Sequence, residues 1–323
     1  MIGDLARFGV FNLGASIVAG LLVAVVVLGV SRVLGIRDAR VRSWLLGAAL
    51  VKATLVLAGL GTVLAFPSHW TDAIGGGALP ISVVGPLILV WGGAVLVLRG
   101  RVARSLRLSG GGGRVHGAPA DRLTASVARV AAVARRVERS DGPCFRCAVP
   151  HDLPTPAARV SRAGAPATLD PAGEPVIELP EGLLAALDDD ELDGVVAHEI
   201  GHVVVARDRE GCAPVWARVA RWTSPGAAVV GTLLDREEEL ACDELAVRIT
   251  GQPTALASAL LKAYRRRRAA APALTPVANL LGGSRLLKDR VERLASAESD
   301  RPAPSLPRVA AACAVTLLVT IAL

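Results

Sequence analysis

The chain has 323 residues, of which 52% are hydrophobic and only 3% aromatic, with a mean hydropathy of +0.48. That is too apolar for an average soluble protein and points to membrane segments. The formal charge is +7, yet no basic module interleaved with aromatics is present, which argues against nucleic acid as a partner. The arginines instead flank apolar runs, as expected of a chain anchored to an anionic inner leaflet. Five cysteines without framework spacing argue for a reducing compartment rather than a disulfide scaffold.

Four apolar runs stand out, at 8–30, 44–66, 81–98 and 309–323. The first and third carry no charge, and the second is broken only by Lys52 near its start. These three are long enough to cross a bilayer. The fourth is shorter and either spans a thinned bilayer or dips into it. The first run is not read as a signal peptide, because Asp4 precedes it and no small-residue cleavage site follows. Arg32, Arg37, Arg40 and Arg42 follow run one, and Arg99, Arg101, Arg104 and Arg107 follow run three. The intervening loop, 67–80, has neither Lys nor Arg. The positive-inside rule then places the first loop and everything after residue 98 in the cytoplasm. The expected division is three transmembrane helices in 1–108, a flexible linker at 109–120 containing "SGGGGR", a globular domain at 121–300, and a linker with a last membrane segment at 301–323. Roughly 190 polar-region residues suffice to bury a core.

Within the domain, residues 121–138 read as a helix with an apolar stripe. "ATLDPAGEPVIELP", 167–180, reads as a hairpin whose second strand is Val176, Ile177, Glu178 and Leu179. Pro175 and Pro180 bracket that strand, which suggests a sheet edge. Residues 213–234 are apolar, but Arg218, Arg221 and Pro225 argue for an amphipathic segment on the bilayer rather than a span. Arg265 to Arg268 end a helix that begins near Pro253, as a solvated helix end or an inner-leaflet contact. Cys144 and Cys147 with His151 could form half of a structural zinc site, but one pair is a weak signal and ordinary loop residues are the simpler reading. His69 and His116 fall in a loop and a linker.

The chemistry lies in "ALDDDELDGVVAHEIGH", 186–202. Asp188 can cap a helix, Glu191 sits three residues on, and the acidic first turn suits the positive end of the dipole. Leu192, Val195, Val196, Ile200 and Val203 supply helical apolar spacing. His198 and His202 are therefore one turn apart on one face, able to converge on one ion. Glu199, a residue further round, can reach a metal-bound water as a base. A catalytic zinc needs a third protein ligand and an open position. Downstream, "LLDREEELACDELAVRITG", 233–251, is helical and places Glu239 and Asp243 four apart. On its own such a stretch is a solvated face. Paired with the two histidines, Glu239 becomes the natural third ligand and Asp243 the acceptor that orients a ligand histidine. Glu237 and Glu238 compete for the ligand role, but neither has an aspartate four residues on. Cys242 reads as core packing beside the site, with a thiol open to oxidation.

"VVAHEIGH" followed by "REEELACDELAVRITGQPTALASALLK" resembles the membrane-embedded gluzincin zinc peptidases. "CDE" is similar to the BlaR/MecR-type antirepressor branch, and "ITGQPTALASALLK" with "DRVERLAS" to the HtpX and CAAX-prenyl-protease branch. The resemblance covers about 175–295. It is absent or merely compositional in the N-terminal third, so the expected fold joins two readings: a mostly α integral membrane protein with about four transmembrane segments, from the apolar runs, and an α+β gluzincin-like metallopeptidase domain carrying the HExxH helix and a small edge-strand sheet, from the resemblance. The resemblance implies one Zn2+ per chain held by His198, His202 and Glu239, with Glu199 activating water and Asp243 following the ligand. It also implies that a substrate peptide adds antiparallel to an edge strand, for which Val176–Leu179 is in place.

The expected function is a membrane-bound zinc endopeptidase that cuts membrane or regulatory proteins at the cytoplasmic face. Its partners are then a peptide or protein substrate and the lipid bilayer. The alternative is a signal transducer of the BlaR/MecR type that cleaves a transcriptional regulator on stimulus. That role needs a sensor or regulator partner, because the 67–80 loop is too short to be a sensor domain.

Overall fold

The computed structural model describes residues 2–57, 114–137, 155–162, 167–169, 175–212, 224–270, 283–296 and 305–322. The 81–98 run, the end of the 44–66 run, Cys144, Cys147 and His151 lie outside the described residues, as does 213–223. The chain forms two compact units, one of 1–104, 209–237 and 304–323, the other of 105–208 and 238–303.

The first unit holds helices α1 (Ile2–Val33), α2 (Ala39–Leu57) and the C-terminal helix of 306–322. Gly35, at φ +65°, makes the turn between the first two, and Asp38 caps the second by accepting from the Val41 N–H at 3.0 Å. The core is small and aliphatic: Val23, Val27, Leu46, Ala49, Leu50 and Ala53 meet Ala227 and Val230, with Ala312 from the last helix. Small residues let these backbones approach closely. Ser16 donates to the Ala53 carbonyl at 2.7 Å and lies 3.1 Å from the Ser224 hydroxyl, so its buried hydroxyl is satisfied. Among the described residues one helix is long and apolar enough to cross a membrane, over Gly14–Val33, with mean hydropathy 2.4. The 306–322 helix is apolar but shorter. Of the four expected spans this is the one clear candidate among the described residues; the 44–66 run is described only as far as 57, in a helix that carries Arg40, Arg42 and Lys52, and the 81–98 run lies outside them.

The second unit is α+β. Its sheet contains β1 (Arg114–Val115), β2 (Ala157–Ser161), β3 (Ala167–Leu169) and β4 (Pro175–Pro180), in the order β1-β2-β4-β3. β1 and β2 are antiparallel, β2 and β4 parallel, and β3 and β4 antiparallel. Two expectations change here. The 109–120 segment is not all linker, since Arg114 and Val115 pair with Ser161 and Val160. The Val176–Leu179 strand is not an edge either: β2 covers one side and β3 the other. Its flanking prolines sit at the two ends of β4, where a missing N–H is tolerated, and so do not report an open side.

Helix α3 (Ala118–Val137) packs on β2, and α4 (Glu181–Leu184) follows β4 directly. Next come α5 (Asp189–Cys212), α6 (Pro225–Thr250), α7 (Pro253–Ala270), α8 (Gly283–Ala295) and α9 (Leu306–Ala322), the last belonging to the first unit. Leu123, Val127, Ile177, Leu179, Leu192, Val196, Ile200, Leu245, Leu256 and Leu294 form one buried cluster. Arg122 and Arg129 of α3 fasten the start of α5. Arg122 donates to Asp189 and to the Leu184 and Leu187 carbonyls, and Arg129 to both oxygens of Asp193. By contacts, the second unit takes in most of the 121–300 stretch expected as one domain. Residues 209–237 go with the first unit, and Pro225, within the 213–234 stretch read as amphipathic, opens α6. Proline is favoured at the first helical position because its missing N–H would have no partner there.

Candidate metal centre

Helix α5 starts where the sequence signals it. The Asp188 carboxylate accepts from the Glu191 N–H at 2.8 Å, and the Glu191 carboxylate accepts from the Asp188 N–H at 2.9 Å. This reciprocal cap fixes the helix phase, which turns His198 and His202 to one side. Their ring centroids are 4.7 Å apart and nearly perpendicular. The crossing of α5 and α6 is close at Gly201, where a Cβ would meet Cys242 Cα at 3.0 Å. That absent side chain lets α6 bring Glu239 across both imidazoles.

Glu239 Oε2 lies 3.6 Å from His198 Nε2, and its Oε1 lies 3.6 Å from His202 Nε2. One donor atom from each of the three lies within 4.8 Å of the others, so the group could hold a metal ion. Donors 2.0–2.1 Å from a tetrahedral ion sit roughly 3.4 Å apart, and two imidazoles with one carboxylate suit zinc. The donors therefore fit the ion. His198 is buried at 8% side-chain exposure, whereas His202 and Glu239 are 28% and 29% exposed, so the group has a closed side and an open side.

Asp243, one turn beyond Glu239, places Oδ1 2.9 Å from His198 Nδ1. A buried carboxylate at that distance attracts the Nδ1 proton, which would leave Nε2 as the nitrogen able to face a metal. The Cys242 thiol lies 3.5 Å from His202 Nδ1. Glu199 is buried on α5 directly after His198. Of the competing glutamates, Glu237 belongs to the first unit and pairs with Arg42 at 2.7 Å, and Glu238 is buried outside the group.

One residue escaped the sequence reading. Arg290 of α8, only 9% exposed, donates through Nε to Asp243 Oδ2 and through Nη2 to Asp243 Oδ1, both at 2.7 Å. Its Nη1 donates to Glu239 Oε2, also at 2.7 Å. Arg290 sits four residues before the buried Leu294, on the apolar stripe of its helix. A charge on a buried stripe was the available signal, but nothing in the spacing names its partner 47 residues upstream.

The electrostatics follow from burial and these contacts. Burial pulls the His198 imidazole down, but the Asp243 and Glu239 carboxylates outweigh it and raise it to about 9. His202 is lowered to about 4 by burial and by the charge on His198. Burial pushes the carboxyls of Glu239 and Asp243 up, yet His198 and Arg290 lower both, Glu239 well below the usual range. Burial also raises the Cys242 thiol, so it is not a ready thiolate.

Two imidazoles one turn apart, a glutamate between them in sequence and a second carboxylate from another helix are the residue types that a metallopeptidase site of the gluzincin type uses. Residues 171–298 match the peptidase family M48. The chain is similar to proteins named protease HtpX homolog: 32% identical to one from Pyrococcus abyssi over 28% of this chain and 43% of that one. It is 29% identical to one from Thermococcus kodakarensis (44% and 67%) and 29% to one from Desulforapulum autotrophicum (41% and 52%). The chain thus spans about two-fifths to two-thirds of the length of these relatives. No solved structure matches it. Residues 171–298 are a metallopeptidase domain of the gluzincin type, on the HtpX-like branch of the two that the motifs resemble.

Proposed function

We propose that the chain is a membrane-bound, zinc-dependent endopeptidase that hydrolyses peptide bonds of membrane or regulatory proteins at the cytoplasmic face. The observation that carries this reading is the convergence of His198, His202 and Glu239 within 4.8 Å, with a carboxylate behind His198. The apolar 14–33 helix supports the membrane placement, and the arginine-bearing loops support the orientation.

One Zn2+ held by His198 Nε2, His202 Nε2 and Glu239 would supply Lewis-acid polarisation of the scissile carbonyl and acidify the attacking water. The Glu199 carboxylate takes the proton from that water and hands it to the leaving amine nitrogen. Asp243 keeps the His198 proton on Nδ1, so the imidazole stays in the ligating tautomer. His202 and Glu239 lie on the open side, where an extended peptide can approach.

The test is the full chain purified in detergent, with zinc quantified and cleavage of a membrane-protein substrate followed. We expect one zinc per chain in the wild type and in Glu199→Gln, with cleavage in the latter lower by about 10²- to 10⁴-fold. Equal cleavage by the two would remove Glu199 from the mechanism. A wild-type protein without zinc would remove the metal site.

A further inference from the structure

The role of Arg290 goes beyond packing. It reaches both carboxylates of α6 at once, from a different helix and from a buried position. Two carboxylates four residues apart on one helix face repel each other, and neither is well solvated here. A single guanidinium fork holds them: two parallel bonds fix the plane of Asp243, and the remaining amino group holds Glu239.

We propose that Arg290 is a positioning residue that sets which oxygen of Glu239 faces the metal and which nitrogen of His198 does. This rests on the metallopeptidase reading above. The Nη1–H bond occupies Glu239 Oε2, which leaves Oε1, 3.6 Å from His202 Nε2, as the free ligand oxygen. Glu239 is thereby a one-oxygen ligand, and a coordination position is kept for the attacking water. The fork on Asp243 holds Oδ1 beside His198 Nδ1 and keeps the ring proton there, while Arg290 Nη2, 3.4 Å from His198 Nε2, flanks the nitrogen that would face the ion. A lysine cannot replace this arrangement, because one ammonium lacks the planar fork that serves two carboxylates.

The test compares wild type, Arg290→Gln, Arg290→Lys and the control Arg293→Gln as full-length proteins in detergent. Zinc affinity is read by competition with a chromophoric chelator, and coordination by the visible d–d band after Co2+ substitution. We expect Arg290→Gln to weaken zinc binding by about 10- to 100-fold. Its Co2+ band should lose intensity, as a released Glu239 chelates through both oxygens and raises the coordination number. Arg290→Lys should fall between wild type and Arg290→Gln, and Arg293→Gln should match wild type. Arg290→Lys keeps the charge and so guards against simple misfolding. Wild-type affinity and spectrum in either Arg290 variant would overturn the proposal. Zinc-free wild-type protein would instead overturn the metallopeptidase reading itself.

Discussion

Two buried ionic clusters lie along α5, and they differ in one respect. At the helix start, Glu191 accepts from Ser258 Oγ at 2.6 Å, Lys262 Nζ at 2.5 Å and the Asp188 N–H at 2.9 Å. Lys262 also donates to the Ala186 carbonyl at 3.1 Å. Donors and acceptors there match, and the cluster is complete. Two turns on, His198, His202, Glu239, Asp243 and Arg290 form a second cluster of similar burial and richer charge. There one donor atom each from His198, His202 and Glu239 lies within 4.8 Å of the others, with Arg290 Nη2 3.4 Å from His198 Nε2. Burial and charge are common to both. What sets the second apart is that its ring nitrogens and carboxylate converge in a pattern that could hold a metal ion.

Removing the convergence gives the largest expected effect. Glu239→Gln replaces a charged ligand with an amide, whereas Arg290 keeps its fork on Asp243. The variant should lose stoichiometric zinc and cleavage together. Its thermal transition in the presence of chelator should match that of chelator-treated wild type. Both are read by metal analysis and a melting curve on the same detergent preparation. Zinc retained at full stoichiometry would move the third ligand elsewhere on the chain.

The first cluster should respond in the opposite way. Glu191→Gln leaves the ligands untouched but weakens the bond to Lys262 and the reciprocal cap of α5. Because the Lys262 side chain is 37% exposed, solvent takes up part of the lost interaction. A cost of about 1–3 kcal/mol in stability is expected, with unchanged cleavage per zinc-loaded molecule. A fall in that specific activity, with stability intact, would show that the two clusters are one functional network.

How much of this was readable beforehand depends on range along the chain. The cap, the phase of α5 and the pairing of His198 with His202 are local, set by residues within two turns of one another, and the sequence carries them directly. Glu239 with Asp243 is local in the same sense, on α6. The burial of β4 between two neighbours is not local: prolines at 175 and 180 look alike at a true edge and at the ends of a central strand. Arg290 is the extreme case, since its partners come from a helix distant in sequence and only packing brings them together.

The smallest effect, and the sharpest on the nature of the first cluster, is its response to acid. Burial by itself would raise the Glu191 carboxyl, but the bonds from Lys262, Ser258 and the Asp188 N–H hold it below its ordinary 4.5. A carboxyl lowered on folding binds fewer protons in the folded chain than in the unfolded one. Its stabilising contribution is therefore complete above 4.5 and is lost as pH falls through the folded value. The melting-temperature gap between wild type and Glu191→Gln should stay level from neutral pH down to about 5 and close below 4.5. Other acid-sensitive groups act on both proteins alike, so the gap isolates this one carboxylate. A gap that persists unchanged to pH of about 3 would mean that shape and hydrogen bonding hold the cluster, with the charge on Glu191 contributing nothing.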